Sequence, residues 1–157
     1  MRGFYMVIKI LVPMLCLAVL MGCRGNPPTN IGVKEGKLSP CPSSPNCVSS
    51  QSVADDKEHY IRPLGYSGSR DEAKATLISV IVSMKRTKII TVTDDYIHAE
   101  FTSRIFRFVD DVEFYVDDTI KTIHVRSASR LGKSDLGVNR KRIETIRELF
   151  DRRMEKK

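Results

Sequence analysis

Two stretches of the chain carry hydrophobic residues at intervals of three and four, the spacing of the apolar face of an amphipathic helix. The first begins after Ser69, which forms a capping-box pattern with Glu72. The second lies near the C-terminus, where Asn139 is the predicted N-cap and Val138 and Ile143 flank it as a hydrophobic staple. The periodic positions are Ala73, Leu77, Val80, Ile81 and Met84 in the first helix and Ile143, Ile146, Leu149, Phe150 and Met154 in the second.

Alternating and β-branched segments between and before these helices predict strands. Turn residues such as Asp94-Asp95 divide the middle of the chain into two hairpins, and Pro63 places an earlier strand at a sheet edge or at its own end. The order β-α-β-β-β-β-α predicts an α+β fold, an antiparallel sheet of about five strands with two helices packed on one face. The predicted strands are 60–64, 89–93, 96–103, 112–117 and 122–127.

The N-terminus has a different pattern. Arg2 and Lys9 precede 12 uncharged, mostly apolar residues, 10–21, which is too short to span a bilayer as a helix and typical of a secretory signal peptide. The following Gly22-Cys23 completes a segment that resembles the lipobox of bacterial lipoproteins, in which the Cys carries acyl chains such as palmitate. An ordinary signal peptide or an uncleaved anchor is the alternative.

With 157 residues, of which 41% are hydrophobic and 29% charged, the chain has the size and composition of one globular domain. We therefore predict a signal peptide at 1–22, the lipidated Cys and a flexible tether at 23–40, and a single α+β domain at 41–157. The predicted location is a membrane-anchored lipoprotein facing the periplasm or the cell surface. Arg24, in place of Asp after the Cys, favours the outer membrane over the inner one.

Two cysteines remain once Cys16 leaves with the signal peptide and Cys23 carries lipid. Cys41 and Cys47 are predicted to form a disulfide, as a leftover pair in an exported protein usually does. Closing this seven-residue ring stabilises the fold by about 2.4 kcal/mol in the chain-entropy treatment. Reactive thiols are the alternative. No metal or other cofactor is predicted, because the ligand spacing of a zinc site is lacking.

Charge is unevenly distributed along the chain. Residues 89–120 carry two cations and eight acids, whereas residues 121–157 carry twelve cations and five acids. We expect the two segments to face each other, with acids of the first in ion pairs with arginines of the second. The expected pairs join Asp110 and Asp111 to Arg126, Arg130, Arg140 or Arg142.

A ligand site is the other interpretation of the same residues. Arg140, Lys141 and Arg142 lie in the first turn of the last helix, where the helix dipole disfavours cations. They need a negative partner, which is either a nearby Asp or an anionic ligand held at the helix start. The candidate anion or polar site comprises Asp110, Asp111, Arg126, Ser127, Ser129, Arg130, Asp135, Asn139, Arg140 and Arg142.

Three ordered motifs span most of the predicted domain. They are Cys41-Pro-x-x-x-Asn46-Cys47-Val48-Ser49-Ser50, Phe108-Val109-Asp110-Asp111-Val112-Glu113-Phe114 and Arg126-Ser127-Ala128-Ser129-Arg130-x-Gly132-x-Ser134-Asp135-x-Gly137-x-Asn139-Arg140-x-Arg142. With these motifs the chain resembles the domain of unknown function 1499 family over residues 38–150. The resemblance implies an envelope-associated or lumenal domain and no established activity.

The function predicted from these observations is binding or scaffolding at the envelope. Its partners are the membrane through the N-terminal lipid, and an anionic small molecule, a lipid headgroup or an envelope protein. Nucleic acid is excluded, because export separates the protein from it and the acidic segment balances the basic one. A hydrolytic or thiol-redox enzyme is the alternative, with Asp110, Asp111 and His124 as an acid/base set and Ser127 or Ser129 as nucleophile. Adjacent strand residues point to opposite faces, so Asp110 and Asp111 are not expected to form a dyad.

Overall fold

Six strands and two helices make up the part of the chain that the computed structural model describes, residues 25–156. They confirm the predicted α+β class and, from Leu64 onwards, the predicted order β-α-β-β-β-β-α. The elements are β1 Cys47–Ser49, β2 Leu64–Gly65, α1 Arg70–Ser83, β3 Thr87–Val92, β4 Tyr96–Thr102, β5 Val109–Asp117, β6 Thr122–Ser129 and α2 Val138–Met154.

The sheet is open and antiparallel, with the strand order β1-β6-β5-β4-β3. Both β1 and β2 lie on the outer edge of β6, where Val48 pairs with Ser127 and Leu64 with Ile123. Strand β1 was not predicted, because three buried residues show no alternation. The strand predicted at 60–64 is wrong over most of its length, since only Leu64 and the following Gly65 form a strand, and Tyr60 contributes an isolated bridge to Ser49 of β1. Pro63 has no N–H to give to a ladder.

Helix α1 begins as predicted, because the Ser69 side chain accepts a hydrogen bond from the Glu72 N–H. The predicted start of α2 is wrong. Gly137, with a φ of 78°, is the N-cap, and the Asp135 carboxylate accepts the N–H groups of Gly137 and Asn139. The predicted staple is also wrong, because the Val138 side chain is exposed. Asn139 is buried inside the helix and uses its side chain elsewhere.

Both helices pack on one face of the sheet, as predicted, and enclose the hydrophobic core there. Ile97, Val112, Phe114 and Val125 of the strands are fully buried in it. Residues on the strands alternate between this helix side and the opposite face, which we call the outer face. Because β5 is regular through its start, Asp110 lies on the helix side and Asp111 on the outer face.

Residues 25–40 lie against the outer face of the sheet. The Gly32 N–H donates to Glu113 Oε1 at 2.9 Å, and Leu38 is buried with its N–H bound to Gln51 Oε1 at 2.8 Å. The predicted signal peptide at 1–22 and the predicted lipidation site, Cys23, lie outside the described residues. Both stay predictions, as do the predicted domain boundaries. No helix in residues 25–156 is long and apolar enough to cross a membrane.

The disulfide predicted between Cys41 and Cys47 is confirmed, with the two Cα atoms 5.6 Å apart. It closes the loop that leads into β1. Cys47 is buried on the outer face, opposite Ala128 of β6. The ring therefore fixes the chain that enters the sheet beside the polar residues of β6.

Candidate functional site

Polar side chains form two separate clusters on the two faces of the sheet, near the same ends of β5 and β6. The first, on the helix side, we call the helix-side cluster. The second we call the outer-face network. The helix-side cluster consists of Asp110, Ser127, Ser129, Asn139 and Arg142, and the outer-face network of Tyr96, His98, Glu100, Asp111, Glu113, Arg126 and Arg130.

Arg142 is the centre of the helix-side cluster. Its Nη2 binds the Asp110 carboxylate, and its Nη1 donates to Ser127 Oγ at 3.0 Å and to Asn139 Oδ1 at 2.6 Å. The guanidinium carbon also lies 4.9 Å from the centre of the Phe101 ring, a cation–π contact. Arg142 therefore has a charge partner, two hydrogen-bond acceptors and an aromatic neighbour without any ligand.

Asn139 ties this cluster to the loop before β1. Its Nδ2 donates to the Asn46 carbonyl at 2.9 Å and to Ser129 Oγ at 3.0 Å, while its Oδ1 also accepts from the Ser127 hydroxyl. Asn46 in turn donates to the Gly132 carbonyl at 2.6 Å. The cluster is thus closed on itself and joins α2, β6 and the disulfide loop, which is the architectural interpretation of these residues.

Arg130 and Asp111 form the strongest pair of the outer-face network. Arg130 binds the carboxylate through Nε and Nη2, both at 2.7 Å, and its Nη2 also reaches Glu100. His98 Nε2 lies 2.8 Å from Asp111 Oδ1. This bidentate geometry is the one that Arg favours with carboxylates.

The charges of this pair shift both pKa values. Burial by itself would raise the pKa of the Asp111 carboxyl, but hydrogen bonds from Arg130 and His98 outweigh it and hold that pKa below its usual range. The hydrogen bond to Asp111 raises the pKa of the Arg130 guanidinium. Asp111 is therefore an anion bound to two donors, and an acid in this state does not deliver or take up a proton at neutral pH.

Glu113 and Arg126 are direct cross-strand partners and form the second pair of the network. Arg126 Nη1 lies 2.9 Å from Glu113 Oε2, and the Tyr96 hydroxyl donates to Oε1 at 2.9 Å. Burial, with the nearby Glu113 carboxylate, raises the pKa of Tyr96. The Gly32 N–H is the third donor to Glu113, so this carboxylate, which is fully buried, is well satisfied.

Arg126 itself is not satisfied. Its residue is 5% exposed, yet among the described residues only Nη1 forms a hydrogen bond, and the buried Nε has no partner. An unpaired buried donor costs about 1–3 kcal/mol. The guanidinium therefore has a donor for which residues 25–156 supply no acceptor.

A cavity of about 250 Å³ adjoins this guanidinium. The sheet provides its floor, residues of the N-terminal segment cover one side, and the disulfide loop closes another. Both arginines of the outer-face network reach it, whereas the one acid there, Asp111, is already bound by Arg130. The cavity is lined by Asn26, Pro28, Pro42, Asp111, Arg126, Ala128, Ser129 and Arg130.

Eight of the ten residues of the predicted site are thus divided between the two clusters, and the other two, Asp135 and Arg140, lie outside both. Arg140 was expected to pair with an acid, which is wrong: its guanidinium donates to the backbone carbonyls of Lys57, Glu58 and Tyr60. Asp135 caps α2. The expected pairing of Asp110 and Asp111 with arginines is confirmed for Arg142 and Arg130. Arg126 pairs with Glu113 instead, because register sets Glu113 opposite it.

Residues of the outer-face network that were not predicted include His98 and Glu113. Alternation along β5 places Glu113 on the same face as Asp111, so this signal was present in the sequence. The walls from residues 25–42 had no such signal, since a segment without periodicity does not indicate where it packs.

The proposed catalytic side chains do not come together. His124 Nδ1 lies 3.3 Å from Ser50 Oγ, and burial lowers the pKa of its imidazole. Ser127 is enclosed in the helix-side cluster, on the other face of the sheet. Within residues 25–156 no group of three His, Cys, Asp or Glu side chains could hold a metal ion.

Comparison with known protein families gives one match. Residues 37–150 match the family described as "Protein of unknown function (DUF1499)". This match covers more than half of the chain and confirms the resemblance carried by the three motifs, so the chain belongs to that family. The search of the curated proteins found no match.

Proposed function

We propose that this protein is an exported, lipid-anchored binding module of the cell envelope, which holds a small anion in the cavity of the outer face. The observation that carries the binding role is Arg126, a buried guanidinium in the cavity wall whose Nε has no partner among the described residues. The anchor is supported by the charged and apolar N-terminus that ends at Cys23. Two or three acyl chains on that residue would hold the protein stably at a membrane.

The chemistry of the cavity favours an anion. Its cationic groups are Arg126, which has unused donors, and Arg130, while the carboxylates of Asp111 and Glu113 are bound by several donors each. Arg presents a planar set of donors that matches carboxylate or phosphate oxygens. A volume of about 250 Å³ is below the usual range for drug-sized ligands, which begins at about 300 Å³. We therefore assign the cavity to a phosphate- or carboxylate-sized group.

Binding is better supported than catalysis. Each acid near the cavity has donors bound to it, and the two cysteines of the domain are bonded to each other. A general base needs a free lone pair in reach of its substrate, and a thiol-redox site needs an accessible sulfur. Cys47 is buried. These features support a static binding site in which charge is held in place.

Thermal unfolding with added inorganic phosphate, sulfate or acetate tests the binding role. A ligand that binds only the folded state stabilises it by about 2.7 kcal/mol at a hundred times its Kd, so Tm should rise with anion concentration and then saturate. The variant Ala128→Leu fills the cavity and leaves every charged group in place. We expect its Tm to be insensitive to the same anions.

Ala75→Leu is the matched control, because Ala75 is exposed on α1, which packs on the helix side of the sheet and contributes no residue to the cavity lining. It should respond to anions as the natural protein does. Equal stabilisation of all three proteins by the anions would be a general salt effect and would contradict the site. The absence of any stabilisation of the natural protein would also contradict it.

The anchor has an independent test. Cys23→Ser should abolish incorporation of a fatty-acid analogue such as alkyne-palmitate, since this residue supplies the only thiol at the predicted lipobox. The matched control is Cys16→Ser, which removes a thiol inside the predicted signal peptide and should leave labelling unchanged. Undiminished labelling of the Cys23→Ser protein contradicts the lipoprotein assignment.

A further inference from the structure

One end of the sheet exposes large apolar side chains. The β4–β5 loop, residues 103–108, carries Ile105, which is 74% exposed, and Phe106 beside it. The β6–α2 loop, residues 130–137, carries Leu131 and Leu136, the latter 94% exposed. The two loops meet at this end, because the Arg130 N–H donates to the Val109 carbonyl at 3.1 Å. We call these two loops, with their exposed apolar side chains, the apolar end.

The same end is rich in cations. The exposed cations lie in both loops, after α1 and in the first turn of α2. Asp135 is the single acid within the two loops, and its carboxylate is already bound to backbone N–H groups of the α2 start. The cations are Lys85, Arg86, Arg104, Arg107, Lys133 and Lys141.

The N-terminal segment also arrives at this end. A Cβ placed on Gly25 would lie 2.8 Å from Arg130 Cβ and 3.0 Å from Leu131 Cγ, so the backbone of Gly25 lies directly against the β6–α2 loop. Cys23 precedes Gly25 by two residues, and two residues of chain reach about 7 Å at most. A lipid on Cys23 would therefore start within that distance of the apolar end.

We propose that the apolar end lies on the surface of an anionic phospholipid bilayer, with Ile105, Phe106 and Leu136 at the boundary of headgroups and acyl chains and the cations on the phosphates. Apolar side chains rimmed by Lys and Arg are the recognised composition of an interfacial contact. Each cation near an anionic surface adds to the attraction. The proposal rests on the lipid anchor for its orientation, whereas the patch itself is independent of the anchor.

The opposite end of the sheet has the opposite character. Asp94 and Asp95 lie in the β3–β4 turn there, Asp117 ends β5, and Asp118 lies in the β5–β6 turn, in which Lys121 is the one cation. Ile120, 60% exposed, lies in the second of these turns among the acids. An anionic bilayer would repel this end. The charge difference between the two ends therefore favours one orientation.

The chain contains no Trp, so a single introduced indole reports its own surroundings. Phe106→Trp and Ile105→Trp place it in the apolar end, and Ile120→Trp is the matched control at the opposite end. Full-length protein, purified from membranes, is placed in phosphatidylcholine vesicles with phosphatidylglycerol, some lipids carrying bromine on their acyl chains. We expect the Phe106→Trp and Ile105→Trp proteins to shift their emission to shorter wavelength and to lose most of it to the brominated lipids, while Ile120→Trp does neither.

Equal quenching at both ends, or none at either, overturns the proposal. Quenching that is the same without phosphatidylglycerol overturns the assignment to anionic lipid. A blue shift of the Phe106→Trp protein that appears without vesicles as its concentration rises would identify a second copy of the chain as the occupant and also overturns it. The mass of the same sample reports acylation of Cys23 separately. If Cys23 is acylated but the indole is not quenched, the docking proposal is contradicted and the lipid anchor is retained. If Cys23 is unmodified but the indole is quenched, the lipid anchor is contradicted and the docking proposal is retained.

Discussion

Asp110 and Asp111 are adjacent in sequence, yet they belong to polar clusters on opposite faces of the sheet. Asp110 faces α2 and binds Arg142, whose remaining contacts are supplied by Ser127 and Asn139. Asp111 faces the N-terminal segment and binds Arg130, near Arg126. The helix-side cluster is complete within the chain. The outer-face network is complete except at Arg126, and a cavity lies there.

Whether every buried polar group has a partner distinguishes a structural cluster from a candidate binding site more clearly than the types of residue do. Both clusters contain an Arg–Asp pair, and both are mostly buried. Buried polar groups normally have partners, so the one that lacks a partner is the informative one. The helix-side cluster connects α2 to the sheet, and among the described residues none of its fully buried side-chain polar atoms lacks a partner, whereas Arg126 Nε in the cavity wall does lack one.

The largest expected effect is on the helix-side cluster. Asp110→Asn keeps the shape of the side chain and leaves the Arg142 guanidinium without a charge partner in a place where its side chain is 10% exposed. Removing one partner of a buried ion pair costs about 3–5 kcal/mol. We expect a loss of about 3 kcal/mol in urea unfolding at neutral pH, with no gain from added phosphate. A loss below about 1 kcal/mol, the range of exposed pairs, would contradict the architectural role of this cluster.

The corresponding change on the outer face, Asp111→Asn, should cost less. Arg130 retains Glu100 as a charge partner, so its guanidinium is not left uncompensated. We expect a loss of about 2 kcal/mol at neutral pH, between the values for exposed and for broken buried pairs. If Asp111→Asn loses more unfolding free energy than Asp110→Asn, the helix-side cluster is not the one that contributes more to stability, and the comparison is contradicted.

The same variant has a pH signature. The folded-state pKa of Asp111 lies below its unfolded value of 3.8, so its contribution to stability is complete above pH 3.8 and is lost as pH falls through the lower folded pKa. The natural protein should therefore lose more unfolding free energy on acidification below that pH than Asp111→Asn does. Urea unfolding of both proteins over this acidic range measures the difference. If the unfolding free energies of the two proteins fall in parallel with pH, the Asp111–Arg130 pair is contradicted.

Sequence patterns were sufficient for the local parts of this fold. Helix α1 and the two hairpins follow from periodicity and turn residues within a few positions of each other. Strand β1 did not, because its three residues, Cys47–Ser49, are defined only by the pairing with β6 across the domain. The start of α2 was misassigned because Asn139 is a good capping residue by type, but its amide is used for tertiary contacts to Asn46 and Ser129.

The candidate site was predictable in composition and not in pairing. Alternation alone put Asp110 and Asp111 on different faces. The choice of partners depends on register, which sets Glu113 opposite Arg126 and Ala128 opposite Asp111. Summed charge along a segment contains no such information. Nor does it indicate that the N-terminal segment folds over the outer face and creates the cavity.

A matched pair of Arg→Lys substitutions sharpens the comparison with a smaller effect. Lys keeps the charge but has no planar fork of donors. In Arg142→Lys the contacts to Ser127 and Asn139 are weakened, which should cost about 1–2 kcal/mol of unfolding free energy and leave any anion stabilisation unchanged. In Arg126→Lys the charge can still reach Glu113, so stability should change by about 1 kcal/mol or less, but the rise of Tm with phosphate should be lost. Loss of the anion response in Arg142→Lys instead would assign the ligand to the helix-side cluster.

The smallest effect is expected at the acidic end of the sheet, where Asp118 accepts hydrogen bonds from Lys121 and Tyr66. The ion pair is as short as those of the two buried clusters, with Lys121 Nζ 2.7 Å from the Asp118 carboxylate. The hydrogen bond from Lys121 makes the largest contribution to lowering the pKa of the Asp118 carboxyl, and the hydrogen bond from Tyr66 makes the next largest. Both ionic side chains are nonetheless about half exposed, and water and salt then screen the attraction. Asp118→Asn should therefore leave urea unfolding unchanged within error, although it removes the same charge as Asp110→Asn. A measurable loss here would mean that burial is not what distinguishes the pairs, and the ordering of the two clusters would lose its physical basis.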